Sequence, residues 1–503
     1  MSDRRGSLAL DLPSELHAAS AAQLQHAYRL RRLSPVEVAQ ATIEHLQRWE
    51  PHLHATWNFD AEAVLTMARA SEVRWLKSEA LSALDGVPVT LKENIATRGQ
   101  PVPLGSAATE LVPALEDAPP AARLRQAGAV FLAKTTMPDF GMLTSGLSSF
   151  HELTRNPWNL AHNPGGSSAG AGAAAAAGYG PLHLGTDIGG SIRLPASLCG
   201  VVGFKPSHGR VPIKPPYVGR VAGPLARSVG DVALMMATLS QPDWRDPTSL
   251  PFQALDWTAL NDNPHAVVRG LKLGLLLNAG WGLPLEPRVR AAVLAAANLL
   301  QDAGAEVQPL APFTTRAMAD GINDFWRLRS WIDIQALPPS RQVLVLPFIL
   351  DWVAAAAGFS AARLFQAYSQ IALLRDAAVA ACQPYDYVIS PVSPVAQFAA
   401  EHAMPSNDPL QAMEHIAYTL PFNMSEQPAI SVPCRVPDPA GTTGSLRIGL
   451  QIVGRRHDDL GVLRLARAFE VLRGALPDWP QPPGASSASS ASSASSASGA
   501  GGG

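Results

Sequence analysis

Two serine positions set in glycine stand out in this chain of 503 residues. Ser191 lies in the run Gly185-Thr-Asp-Ile-Gly-Gly-Ser-Ile-Arg193, and the pair Ser167-Ser168 follows Gly165-Gly166. Paired glycines let a backbone turn tightly and approach a ligand closely. A serine held in such a turn presents its hydroxyl among free N–H groups, which is what acyl transfer requires. Two other glycine-rich chemistries fail on spacing. No lysine follows these glycines, as a phosphate-binding loop demands. The second residue after Ser191 is Arg193, where a nucleophile elbow needs glycine. The elbow letters do recur at Gly166-Ser-Ser-Ala-Gly170, but the preceding Trp158–Pro164 is not the apolar strand that motif needs.

A serine nucleophile needs a base. His183 and His208 flank the region, so a Ser-His-Asp arrangement is conceivable, although either histidine also suits a structural place. The Ser-x-x-Lys motif is absent from the chain. The remaining candidate is Lys92, at the end of the apolar run Gly86-Val-Pro-Val-Thr-Leu-Lys92. Exposed, such a lysine is an ordinary strand end. Buried, it loses charge by desolvation and becomes a usable neutral base.

These groups must be held by a scaffold that alternates strands with helices. The periodicity predicts helices over Ser20–Arg32, Pro35–Trp49 and Ala61–Ser78; Ser34, Pro35 and Glu37 supply a cap, a first-turn proline and a capping-box partner. Further helices are expected at Ala121–Ala127, Ser168–Ala177, Val229–Ser240, Arg288–Ala303 and Leu460–Arg473. The second of these is rich in alanine and glycine and is expected to be buried. Strands are expected at Gly86–Lys92 and Ala129–Lys134, with central strands at Leu271–Leu277, Tyr385–Ser390 and Leu446–Val453. This alternation predicts an α/β/α layered fold, a large mixed central sheet flanked by helices. Residues 1–480 read as a single domain, with residues 320–360 as a substrate-covering lid. Residues 481–503 are a repetitive Ser/Ala/Gly tail, expected to be disordered or a linker.

The segments DGVPVTLKEN, PGGSSAGAG and GTDIGGSIRLPASLCGVVGFKPS resemble, in order, the three signature blocks of the amidase signature family. Lys92 to Ser167 and Ser167 to Ser191 span 75 and 24 residues, in register with that family. The resemblance covers nearly the whole body, including Ser34–Glu37, Thr154–Trp158 and Pro421–Pro433. It implies a Ser–cisSer–Lys triad in which Ser191 is the nucleophile, Ser167 the bridging serine with a cis bond to Gly166, and Lys92 the base. It implies an oxyanion hole from the N–H groups of Ile188, Gly189, Gly190 and Ser191, with Ser168, Thr186, Asp187 and Arg193 as supports. No metal or organic cofactor is implied. The block reads Gly-Gly-Ser-Ser-Ala-Gly where many relatives have a second Gly-Gly, and Glu93 follows Lys92 where Asp is common; neither change touches a proton-relay group.

Substrate walls are expected from Pro138–Ser145, with Gly141, Met142 and Leu143, and from Ser390–Ala400, with Gln397, Phe398 and Ala399. Both segments are apolar with small residues. Trp326, Trp331, Phe348 and Trp352 would line a hydrophobic lid. Together they favour a bulky, neutral amide or carbamate, and the pattern is similar to the carbamate-hydrolysing members of the family. A glutaminase component of a tRNA-dependent amidotransferase is the alternative; the lack of an evident charged pocket for an amino acid's α-groups weighs against it. A catalytically silent binding protein of the same fold is the third, opposed by the intact Lys92, Ser167 and Ser191.

Composition narrows the partners. Hydrophobic residues make up 47% and charged residues 16%, with a net charge of −2, and no basic stripe points to nucleic acid. Three widely spaced cysteines form no disulfide framework or metal-ligand pattern. Asp11 and Pro13 end the first apolar run too early for a signal peptide, and no apolar run is long enough to span a bilayer. The expectation is a soluble, cytoplasmic monomer or homodimer acting on a small molecule, without nucleic acid or membrane.

Overall fold

The helix Pro35–Leu53 begins where its cap sets it: Ser34 Oγ accepts from the Val36 amide at 3.0 Å and Glu37 accepts from the Ser34 amide at 2.8 Å. The structure is a computed structural model that describes residues 12–261, 263–436, 446–476 and 478–484. Residues 1–11 and most of the expected tail, 485–503, lie outside the described residues.

Among the described residues, one sheet contains the strands β1 (Thr56–Trp57), β2 (Pro88–Lys92), β3 (Val130–Thr135), β4 (Leu182–Asp187), β5 (Val202–Lys205) and β6 (Val221–Ala226). It continues with β7 (Lys272–Leu275), β8 (Glu306–Pro309), β9 (Tyr387–Pro391), β10 (Ala429–Pro433) and β11 (Gly449–Val453). Their order is β1-β3-β2-β4-β6-β5-β10-β11-β9-β7-β8. The sheet is mixed: β2 runs parallel to β3 and β4, and β7 parallel to β8 and β9, while the other pairs are antiparallel. Helices flank it, so the layered α/β architecture is present.

The expected helices form with ends shifted by a few residues. One expectation needs correction: β7 is not central but second from the edge, and its first residue, Lys272, is exposed. Its apolar run marks a covered strand, but β8, with mostly exposed residues, adds only the sheet margin beyond it.

The interior of β2, β4 and β5 is buried at every residue. Against this sheet lies the helix Ala169–Ala177, also buried throughout. A Cβ on Gly170 would meet the Ala55 carbonyl oxygen at 2.2 Å, so only glycine permits this approach. The helix Arg193–Cys199 packs beside it. Because β2 and β4 are parallel neighbours, with Leu91 paired to Leu184, their carboxyl ends open at the same edge. That edge, where α/β sheets place their ligands, carries Lys92 and the loop after Asp187.

Residues 316–354 add no strand. They form the helices Arg316–Gln335, Pro339–Gln342 and Pro347–Ala354, and the helix Ala361–Cys382 packs along the first of them. No single helix among the described residues is long and apolar enough to cross a membrane.

Candidate active site

Lys92 ends β2 with its side chain fully buried. Its Nζ hydrogen bonds Ser167 Oγ at 2.8 Å and Ser168 Oγ at 3.1 Å. Burial, reinforced by the nearby charge of Arg220, holds its pKa well below the ordinary lysine value of 10.5; Asp187 and Glu93 oppose this and are outweighed. The ammonium form is therefore disfavoured relative to that of an exposed lysine.

The Gly166–Ser167 peptide is cis. Ser168 donates through Oγ to the Thr186 carbonyl at 3.2 Å and accepts from the Thr186 amide at 3.3 Å. Its own amide donates to the Ser191 carbonyl at 3.1 Å. The start of the buried helix is thus tied directly to the Ser191 turn. Ser167 and Ser191 both line a cavity of about 550 Å³, with Ser191 half-buried.

The turn is built by Asp187. Its carboxylate accepts from the Gly190 amide at 2.8 Å, the Ile192 amide at 3.1 Å, Arg193 Nε at 3.0 Å and Asn423 Nδ2 at 2.9 Å. Burial alone would raise its pKa, but Arg193, Lys205 and Asn423 outweigh burial and hold the carboxyl well below the usual range. Arg193 is itself fully buried and donates onward to the Thr419 carbonyl at 3.0 Å and Gln451 Oε1 at 2.7 Å. Thr186 Oγ1 accepts from Asn94 Nδ2 at 3.1 Å.

This bracing corrects one expectation. The Gly190 N–H is engaged by Asp187, and Gly190 does not line the cavity. Ile188, Gly189 and Ser191 do line it, and among the described residues their N–H groups find no acceptor. Gly190 shapes the turn instead: its φ of 130° suits glycine, and a Cβ there would lie 2.6 Å from Thr419 Oγ1.

Gly141, Met142 and Leu143 line the cavity, as do Trp326 and Trp352. Trp331 and Phe348 pack instead into the adjoining apolar cluster. Gln397, Phe398 and Ala399 do not line it. The Phe398 carbonyl accepts from the Asn163 amide at 3.0 Å and Ala399 bridges to His162, so this stretch pairs with the loop before the glycine block. Neither flanking histidine hydrogen bonds to Ser191 or lines the cavity. His183 sits within β4, fully buried, hydrogen bonded to Thr90 at 2.8 Å, and burial lowers its pKa to about 3. His208 meets the Tyr217 carbonyl at 3.3 Å.

Residues 37–463 match the Amidase family. The chain belongs to the amidase signature family. Membership places it among enzymes acting on carbon–nitrogen bonds. It is 34% identical to a glutamyl-tRNA(Gln) amidotransferase subunit of Solidesulfovibrio magneticus, covering 93% of this chain and 99% of that one. A bacterial aryl acylamidase of the family superposes with a TM-score of 0.82 at 28% identity, over 91% of this chain and 97% of the other. The peptide amidase of Stenotrophomonas maltophilia gives a TM-score of 0.77 at 27% identity, over 93% and 99%.

Reading the sequence misses several residues that support this amidase-signature site. Asn423 and Gln451 lie more than two hundred residues from Asp187 and Arg193, and no spacing rule links them. Asn423 does fall within the Pro421–Pro433 segment that carries part of the family likeness. The cavity is also less neutral than expected: Lys214, Arg220, Arg329 and Asp333 line one part of it.

Proposed function

We propose that the protein is a serine hydrolase that cleaves the C–N bond of amides and carbamates through Ser191, Ser167 and Lys92. The observation that carries this reading is the fully buried Lys92 amine, 2.8 Å from the hydroxyl of the cis-linked Ser167, beneath a cavity that Ser167 shares with Ser191. Neutral Lys92 takes a proton from Ser167 as Ser167 takes one from Ser191, and Ser191 Oγ attacks the carbonyl carbon. The N–H groups of Ile188, Gly189 and Ser191 hold the developing oxyanion; one such donor commonly contributes about 10²–10³ in rate. The proton returns along the same path to the leaving nitrogen as the C–N bond breaks. Water then hydrolyses the acyl-enzyme and frees Ser191. With a carbamate, loss of the amine leaves an alkoxycarbonyl-enzyme whose hydrolysis product loses carbon dioxide.

A bulky, mainly apolar substrate fits the cavity best. Its volume of about 550 Å³ and walls from Phe140, Met142, Trp326 and Trp352 suit an aryl or long acyl group. The likeness to an aryl acylamidase supports the same choice. A second reading, the glutaminase component of a tRNA-dependent amidotransferase, is favoured by the identity to glutamyl-tRNA(Gln) amidotransferase subunits over nearly their whole length. The charged part of the cavity removes one objection to it.

A panel of aryl amides, aryl carbamates, esters and glutamine decides, run beside Ser191→Ala. The first reading expects aryl amide or carbamate turnover that Ser191→Ala abolishes. Ammonia release from glutamine with no aryl turnover would establish the second instead.

A further inference from the structure

Four ionic side chains face the cavity, and three of them have ionic partners. Lys214 Nζ lies 2.7 Å from Glu116. Arg329 Nε lies 3.4 Å from Asp333, and its guanidinium sits over the Tyr217 ring, 4.1 Å from the centroid. Arg220 differs. Among the described residues it forms no ion pair, and the one hydrogen bond of its guanidinium runs from Nη1 to the Pro215 carbonyl at 3.0 Å. A guanidinium has five N–H donors and stays charged at neutral pH. Arg220 is half-buried in the cavity wall, where hydration offsets only part of the cost of holding a charge without a counter-ion. Nearby, the buried Tyr217 Oη has Arg329 beside it but makes no hydrogen bond of good geometry. The cavity thus carries one uncompensated cation, four unused donors on it, and an unpaired hydroxyl.

We propose that Arg220, with Tyr217, forms a subsite for a carboxylate on the substrate, so that the preferred amide or carbamate is amphipathic, an apolar body bearing an acid group. The planar fork of a guanidinium matches the two oxygens of a carboxylate and binds them in a bidentate pair. The carboxylate supplies the counter-ion that the protein does not. The apolar walls of Met142, Trp326 and Trp352 hold the remainder. Burial and the neighbouring Arg329 push the Arg220 pKa down to about 10, with no carboxylate acting to raise it, consistent with an unneutralised site. The inference rests on the hydrolase reading and deepens it.

The test uses two matched pairs of anilides. Glutaryl-p-nitroanilide against pentanoyl-p-nitroanilide places the acid on the acyl side, and N-butyryl-4-aminobenzoate against N-butyryl-4-toluidide places it on the amine side. The purified full chain is expected to favour the acid in at least one pair. Arg220→Met is expected to lower that kcat/KM ratio by about 10–100-fold, mainly through KM, the scale of hydrogen bonds to a charged group. Arg220→Lys is expected to retain part of it. A ratio that moves less than threefold in both pairs overturns the proposal. If Arg220→Met does not fold, the unmutated enzyme decides: 4-phenylbutyrate is expected to inhibit competitively at least tenfold better than 4-phenylbutanol, and equal inhibition overturns the proposal. Turnover that survives Ser191→Ala would sink the hydrolase reading, whereas Ser191-dependent turnover with no Arg220-dependent ratio sinks only this inference.

Discussion

Two regions line the cavity, and they are built in opposite ways. In one, the glycine block from Gly165 to Arg193 is almost entirely buried, and apart from the Ile188, Gly189 and Ser191 amides its turn is braced by hydrogen bonds among Asp187, Arg193, Asn423 and Ser168. In the other, residues 316–354 contribute Trp326 and Trp352 from helices whose outer faces are open; Ile332 on the first is 53% exposed, and Asp351 on the second is exposed. There the tryptophans rest on apolar packing, with a hydrogen bond from Trp352 to Asn323 at 3.0 Å. The first region gives reacting groups one position. The second gives a surface that tolerates change. In the proposed mechanism, chemistry and choice of substrate fall to parts with different energetics, and substitutions in the two regions should fail differently.

The largest effect is expected at the nucleophile. Ser191→Ala should lower kcat by at least about 10⁴-fold, the scale seen when a catalytic serine is removed, with the thermal unfolding transition little changed. Next comes the brace. Asp187→Ala leaves Arg193 as a buried cation without its carboxylate, which should cost about 3–5 kcal/mol in denaturant unfolding. In the other region, Trp326→Ala should change the preference for aryl over small amides by about tenfold, read as a ratio of kcat/KM. If that substitution instead destabilised the fold as much as Asp187→Ala, the contrast between the regions would not hold. The smallest effect is expected at Gln397. Because its segment lies outside the cavity, Gln397→Ala should leave KM unchanged and shift stability by less than about 0.5 kcal/mol.

Parts of this arrangement were legible in the residues, and the reason is local. Ser34, Pro35 and Glu37 mark a helix start because a cap is made within four residues. The run ending at Lys92 reads as a strand because its apolar residues are continuous. By contrast, β4 contains His183, Gly185, Thr186 and Asp187, and β6 contains Gly223 and Pro224. Their polar and breaker residues hide two central strands, since the partners that satisfy them, such as Thr90 for His183, lie on other strands. The site followed the same rule. Lys92, Ser167 and Ser191 stood out through the family likeness carried by their short motifs. Gly190 was misassigned because a motif lists a residue without saying where its N–H points. Arg220 was missed because nothing in Tyr217-Val-Gly-Arg220 signals that its charge is left unpaired.

The central claim is that a neutral, buried Lys92 activates Ser191 through Ser167. It is tested most directly by the rate at which a fluorophosphonate labels Ser191 as pH is varied, in the unmutated protein and in Lys92→Met. The pKa of Lys92 is lowered, and the base must be neutral. The rate should therefore rise with pH, level off with a midpoint well below 10.5, and fall as acidification protonates the amine. Lys92→Met should lose this step and label at least about 10²-fold more slowly, the low end of general-base contributions. Labelling of Lys92→Met at the unmutated rate, or of a residue other than Ser191, would contradict the account.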